Sequence, residues 1–191
     1  MKKLLTLTIF IFILAIAGCG EIRREPVSKM QERGGLTYVV NEQTPYTGVF
    51  FEQYQSGQFK SETTWKAGIQ DGIVRSYREN GQLKSEVTFK AGIMDGMIRE
   101  WYKSGELKGE GIFKAGKPNG FVKRWYKNGQ LNFEATCKDG ELNGVSKTWY
   151  EDGRFEEGIW KDGKKDGVFK VWDKDGKLET EEIYKAGERI Q

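Results

Sequence analysis

The sequence predicts an all-β protein. Six tandem hairpins of about 24 residues lie side by side as an elongated antiparallel β-meander, an open single-layer twisted sheet with solenoid-like stacking. Three observations carry this. Glycine recurs at a fixed step: Gly48, Gly72, Gly96, Gly120, Gly144 and Gly167 are 24, 24, 24, 24 and 23 residues apart. The columns from Gly57 to Gly176 and from Gly68 to Gly187 keep that period, with one residue missing between Gly153 and Gly163. Asn80-Gly81, Asn128-Gly129, Asp152-Gly153 and Asp175-Gly176 signal two-residue primed turns, with Ser56-Gly57 and Ser104-Gly105 as weaker forms. Residues also alternate: Leu83, Ser85, Val87 and Phe89 share one face, and Lys84, Glu86, Thr88 and Lys90 the other.

Each unit then reads as a strand of about six residues before the turn (121–126, for example) and one of about eight after it (83–90). Lys-Ala-Gly or Lys-Asp-Gly leads into the next unit. The repeats occupy about 47–70, 71–94, 95–118, 119–142, 143–165 and 166–191, within a repeat domain at 36–191. Residues 36–40 alternate and read as a leading edge strand, and the charged residues 188–191 protect the last edge. The polar stretch to residue 35 reads as a flexible tether.

Composition narrows the function. The chain has 191 residues, no histidine and two cysteines, with 31 basic against 28 acidic residues. The usual general base and commonest metal ligand are missing. The charge balance does not suggest a nucleic-acid surface. No phosphate-cradling glycine loop, nucleophile elbow or spaced metal cluster occurs. The expectation is a non-enzyme with no cofactor, no metal and no nucleic-acid partner.

At the amino terminus Lys2 and Lys3 precede an apolar run over 4–17, then Ile16-Ala17-Gly18-Cys19. A basic start, an apolar core too short to span a bilayer and small residues before a cut describe a secretory signal. The cysteine at the cut resembles a bacterial lipobox. That resemblance implies a signal peptide at 1–18, lipid on Cys19 and a lipidated tether at 19–35. The implied site is a cell or outer membrane, with the chain facing periplasm or exterior. Several acyl chains exceed what stable anchoring needs. The mature chain carries 29 basic and 28 acidic residues, a net charge of +1, and one remaining cysteine. That residue, Cys137, stands where other repeats carry Trp, Phe or Tyr, and reads as a small buried hydrophobe rather than a reactive thiol.

The first strand of each repeat ends in aromatics. Trp101-Tyr102, Trp125-Tyr126, Trp149-Tyr150 and Trp172 are the candidate binding ladder. Two readings stand side by side: cross-strand ladders that are the core itself, or a groove for extended peptide or sugar. The acidic column Glu62, Glu86, Glu110, Glu134, Glu157 and Glu181 invites a glycosidase reading. Six equivalent glutamates, each with a lysine four residues on (Lys66 to Lys185), read instead as a solvated charge ladder. Asp71, Asp95, Asn119, Asn143 and Asp166, with Asp139 and Asp162, offer too few carboxylates per loop for calcium and read as turn formers.

The units resemble the MORN-repeat-variant family of bacterial proteins, as in Asn119-Gly120…Trp125-Tyr126-Lys127-Asn128-Gly129-Gln130-Leu131…Glu134. The resemblance implies a β-hairpin array used for binding, with no catalytic residues. The function expected is a membrane-anchored, protein-binding scaffold in the cell envelope. An antitoxin-like (YwqK-type) immunity protein is the alternative, and a protein that binds or hydrolyses carbohydrate or cell wall is the less favoured one.

Overall fold

A computed structural model describes residues 22–191. The expected signal peptide and Cys19 lie outside the described residues. Strands β1 (Arg24–Pro26), β2 (Met30–Arg33) and β3 (Leu36–Val39) form an amino-terminal cap, with a 3-10 turn at Val27–Lys29. Twelve meander strands follow. They are β4 (Gly48–Gln53), β5 (Phe59–Lys66), β6 (Ile69–Tyr77), β7 (Leu83–Lys90), β8 (Ile93–Trp101) and β9 (Leu107–Lys114). Next come β10 (Lys117–Trp125), β11 (Leu131–Lys138), β12 (Glu141–Trp149), β13 (Phe155–Lys161), β14 (Lys164–Trp172) and β15 (Leu178–Lys185), and β16 (Glu188–Arg189) closes the order. One 14-stranded sheet runs β1-β4-β5 and onward in sequence to β16, and β2-β3 is a separate pair. Thirteen steps of about 4.8 Å make the sheet roughly 62 Å across. The expected open meander is present.

The turns differ from expectation. The two-residue primed turns are at Ala67-Gly68, Ala91-Gly92, Ala115-Gly116, Asp139-Gly140, Asp162-Gly163 and Ala186-Gly187, where both residues have positive φ. Lys90 pairs directly with Ile93 across such a turn. The Asn-Gly turns are three-residue loops instead. Gly81 donates its N–H to the Arg78 carbonyl (2.8 Å) and Arg78 donates to the Gln82 carbonyl (2.8 Å). Gly81 has φ +81°, the left-handed position that ends a loop of this length. Asn80 supports it from within, its side-chain oxygen accepting the Gln82 N–H at 3.1 Å. Because Lys-Ala-Gly is only a turn, pairing begins at once, and the strand expected to be about six residues is nine in β6, β8, β10, β12 and β14.

Alanine in the left-handed region costs about 1–2 kcal/mol, against roughly 0.5–1 kcal/mol that glycine loses in unfolded freedom. Ala91→Gly should therefore raise stability by about 0.5–1 kcal/mol. Urea unfolding of this variant beside the parent checks the sign.

The Asp/Asn column ties each repeat to the next turn. Asp71, Asp95 and Asp166 accept the N–H of Ala91, Ala115 and Ala186 at 3.0, 3.2 and 3.3 Å. Where the turn carries Asp instead of Ala, the capping residue is Asn: Asn119 donates to Asp139 (3.2 Å) and Asn143 to Asp162 (2.9 Å). An aspartate there would face a second carboxylate. Asn119→Asp should cost about 1 kcal/mol from the lost hydrogen bond and like-charge contact. Asp139→Ala in the same chain should restore most of it by recreating the Asp71–Ala91 arrangement, which denaturant midpoints of the cycle would report.

A one-residue bulge follows five of the six loops: Ser76 pairs with Ser85 but Tyr77 with Leu83, leaving Lys84 extra. Lys60, Lys108, Asn132 and Glu179 hold the same place. The β12–β13 hairpin lacks it, because Thr148 pairs with Glu156 and Trp149 with Phe155 in unbroken register. The residue missing from the glycine period is this bulge, and β13 has seven residues where its counterparts have eight.

Within the stretch expected to be a flexible tether, Arg24–Pro26 and Met30–Arg33 form strands instead. β1, not 36–40, is the leading edge, and it pairs parallel with β4. β3 belongs to the smaller sheet and folds over the end of the array, with Thr37 donating to the Gly68 carbonyl (2.9 Å) and Tyr46 to that of Thr37 (2.8 Å). The reason is charge pairing over distance: Arg23 bridges Glu25 (2.9 Å) and Glu42 (2.6 Å), and Arg24 bridges Glu62. Among the described residues the cap covers one compact core, Val39, Tyr46 and Phe50 with Trp65 against them. Elsewhere the fully buried meander side chains are few. Phe50, Ala135 and Phe169 lie in one cross-strand row, and Cys137 is two residues on from Ala135. All share one face of the sheet. At the far edge, Ile183 donates to the Gln191 carbonyl and accepts from Ile190 (2.9 and 2.8 Å), so the tail pairs along β15 beyond β16.

Candidate binding surface

The opposite face carries a single continuous charge ladder. Cross-strand pairing gives the order Glu62, Arg75, Glu86, Arg99, Glu110, Lys123, Glu134, Lys147, Glu157, Lys170, Glu181. The glutamate column is as expected, but its partners are not Lys66 to Lys185. Those lysines sit at the primed turns, at the far end of their strands. Each glutamate instead faces a base from the adjacent strand, with Arg75–Glu86 at 2.9 Å, Arg99–Glu110 at 3.2 Å and Lys170–Glu181 at 3.2 Å. Half-exposed pairs contribute little singly, but a network shares the ordering cost. A glycosidase needs two unlike carboxyls. Here a cation stands between every two.

At the cap end the ladder changes character. Glu62 accepts from Tyr77 (2.5 Å) and from Arg24. Burial pushes the Glu62 carboxyl up, yet the Tyr77 hydroxyl and the Arg24 guanidinium outweigh it and hold the group below its ordinary value. Burial and the Glu62 bond together push the Tyr77 phenol up to about 12. This cluster locks β1 to the array. Cys137 is 8% exposed, and burial raises its thiol, as a small packed hydrophobe would show.

The aromatic candidates divide into two sets. Trp101, Trp125, Trp149 and Trp172 end β8, β10, β12 and β14 two residues beyond the ladder bases, on the ladder face. Tyr102, Tyr126 and Tyr150 begin the loops. Tyr102 donates to the Trp125 carbonyl (2.7 Å) and Tyr126 to that of Trp149 (2.8 Å), so each reaches into the next repeat. Tyr54 and Arg78 do the same toward Tyr77 and Trp101 (2.9 and 2.6 Å). Tyr150 departs from the pattern and donates to Glu156 at 2.9 Å. Trp149 and Trp172 are bridged by Phe155, with ring centroids 5.3 and 5.0 Å away. The tryptophans are half-buried, packed on one side and open on the other.

This arrangement leaves a row of clefts at the loop end. One of about 570 Å³ is lined by Trp101 and Tyr102, one of about 430 Å³ by Trp125 and Tyr126, and one of about 590 Å³ by Trp149 and Tyr150. Sequence reasoning placed the aromatics but missed the bases beside them, Arg78, Lys84 and Lys108, which only the bulge register brings to the clefts. Among the described residues no group of three or more Asp, Glu or Cys is placed to hold a metal ion. No described helix is long and apolar enough to cross a membrane.

The MORN repeat variant matches residues 70–91, 94–115, 118–139 and 165–186. No curated protein matches the chain. Each matched segment spans one hairpin, from the second residue of its nine-residue strand to the left-handed residue of the next primed turn. The unmatched hairpins share this pairing. One follows the cap, and the other is β12–β13, which lacks the bulge. Repeats of this kind are non-catalytic modules that bind proteins or membranes. Four hairpins in an array of six like ones therefore match the MORN repeat variant.

Proposed function

We propose that this chain is a lipid-anchored, non-catalytic scaffold of the cell envelope that binds protein partners along its loop edge. The observation that carries the binding part is the row of half-buried Trp–Tyr clefts repeated at a constant two-strand step. Such a row suits a long partner segment held at several points, each weak alone. The anchor part rests on Lys2-Lys3, the apolar run and Ile16-Ala17-Gly18-Cys19. The two parts have separate tests. Cys19→Ala should move the protein from the membrane to the soluble fraction, and a variant that stays bound would reject the anchor. For the partner, a photo-crosslinking residue at Tyr150, which is exposed, should trap discrete adducts in intact cells. The same residue at Lys138, on the far turn edge, should not. Equal adducts from both positions, or none from either, would reject the binding edge. A trapped partner that is itself toxic would favour the immunity reading.

A further inference from the structure

We propose that the cleft between the second, third and fourth loops is a docking site for an acidic, extended segment of a partner protein. This rests on the protein-binding reading above and adds the chemistry of the partner. The cleft, of about 570 Å³, is lined by five bases, Arg78, Lys84, Lys103, Lys108 and Lys127, around Trp101 and Tyr102. Its one carboxylate, Glu100, is held by Lys108 at 3.1 Å. Arg78 is spent in part on the Trp101 carbonyl. Among the described residues, Lys84, Lys103 and Lys127 have no carboxylate within 4.0 Å. Three cations therefore line one cleft without an internal counter-charge.

The fold does not require this charge. Several repeats carry other residues at the same scaffold positions. The bulge site that holds Lys84 and Lys108 holds Asn132 and Glu179 further on, and the loop site of Lys103 and Lys127 holds Glu79 and Glu151. The neighbouring clefts keep the aromatic frame but lose the charge. That at Trp125 has Lys108 and Arg124 against Glu100, and that at Trp149 has Arg154 against Glu151. A basic pole confined to one cleft of a repeating row is a feature of recognition, not of folding.

The shape selects among anions. A cleft of about 570 Å³ takes one chain segment, whereas a flat bilayer would touch only its rim. An extended peptide sends alternate side chains the same way about 6.6 Å apart, so the carboxylates of an alternating segment all face the lysines of the cleft while the residues between them face away. Charge pairs of this kind set specificity and encounter rate.

The test uses the full chain in detergent micelles and a fluorescein-labelled nonapeptide alternating Glu and Tyr, read by anisotropy. A Lys-for-Glu version of the peptide is the control. The acidic peptide should bind and the basic one should not. The triple variant Lys84→Glu, Lys103→Glu, Lys127→Glu should weaken binding at least about tenfold. Lys66→Glu, Lys90→Glu, Lys114→Glu, the same charge change on the opposite edge, should leave it within about twofold. Equal loss in both triple variants would mean unspecific attraction and overturn the site. So would failure to bind the peptide, with or without cleft-dependent binding to phosphatidylglycerol vesicles or to a polyuronate. Loss of the peptide result with Tyr150 adducts intact rejects this cleft chemistry alone, whereas loss of the adducts rejects the broader reading.

Discussion

Gly158→Val should destabilise the protein by about 3 kcal/mol, the upper end for overpacking. A Cβ at this position would lie 2.1 Å from Cε1 and 2.3 Å from Cδ1 of Phe169. That ring is 4% exposed and cannot swing aside. Trp160 and Tyr184 flank it edge-on at 5.5 and 5.2 Å, and the Lys165 ammonium sits 4.4 Å from its centroid. The backbone of Gly158 is the floor on which Phe169 lies. Phe169→Ala alone should cost about 3–5 kcal/mol. Placed together with Gly158→Val it should cost well under the sum, because the clash goes with the ring. Additive losses in denaturant unfolding would show that the two residues do not share this site. Hydrogen exchange should place the weakening in β13 to β15, since an array of this kind transmits stability mainly to its neighbours.

Gly48→Ala is expected to have a similar effect at the other end, also about 3 kcal/mol, summing a backbone penalty of about 1–3 kcal/mol and lost hydrogen bonds of about 1 kcal/mol each. Gly48 has φ +149°, and a Cβ there would stand 2.4 Å from the Arg23 carbonyl oxygen and 2.6 Å from the Tyr46 hydroxyl. The carbonyl cannot retreat without breaking its bonds from the Val49 N–H (2.8 Å) and the Tyr46 hydroxyl (3.1 Å). The outcome should be release of β1, seen as rapid tryptic cleavage at Arg24 and Lys29. Gly57→Ala makes the comparison. Its φ is +85° but nothing lies within 4 Å, so it should lose only about 1–2 kcal/mol of backbone strain and keep the cap closed. If both variants cleave alike, the close approach at Gly48 is not what fastens β1.

The meander was legible because a period of 24 glycine-marked residues leaves few alternatives. Turn identity was not. Asn80-Gly81 fits a two-residue turn and equally the last two places of a three-residue loop. The choice is made by the pairing of Arg78 with Gln82, which depends on register across the hairpin. The same gap misassigned the partners of the glutamate column. Arg75, Arg99, Lys123, Lys147 and Lys170 are visible in the sequence at steps of 24, 24, 24 and 23. Nothing local says that they lie opposite Glu86 rather than beside it. The cap was hidden because the strands from Arg24 to Arg33 look like solvated charge until Arg23 and Arg24 meet acids 19 and 38 residues away. One signal for Gly158 was available: it is a glycine outside the three periodic columns. Its reason, a phenylalanine on the facing strand, again needed the register.

The early start of the fold changes how the array would stand on a membrane. The Arg23 carbonyl is already fastened to Val49 and Tyr46, so only four residue steps separate it from Cys19. Fully stretched, four steps reach about 14 Å. A chain acylated at Cys19 would thus work as a short-stemmed bracket. Its first strands would be held against the headgroups, and its reach into the surroundings would be set by the width of the sheet rather than by slack in a leash. Adding or deleting hairpins would then alter how far from the bilayer a partner can be met.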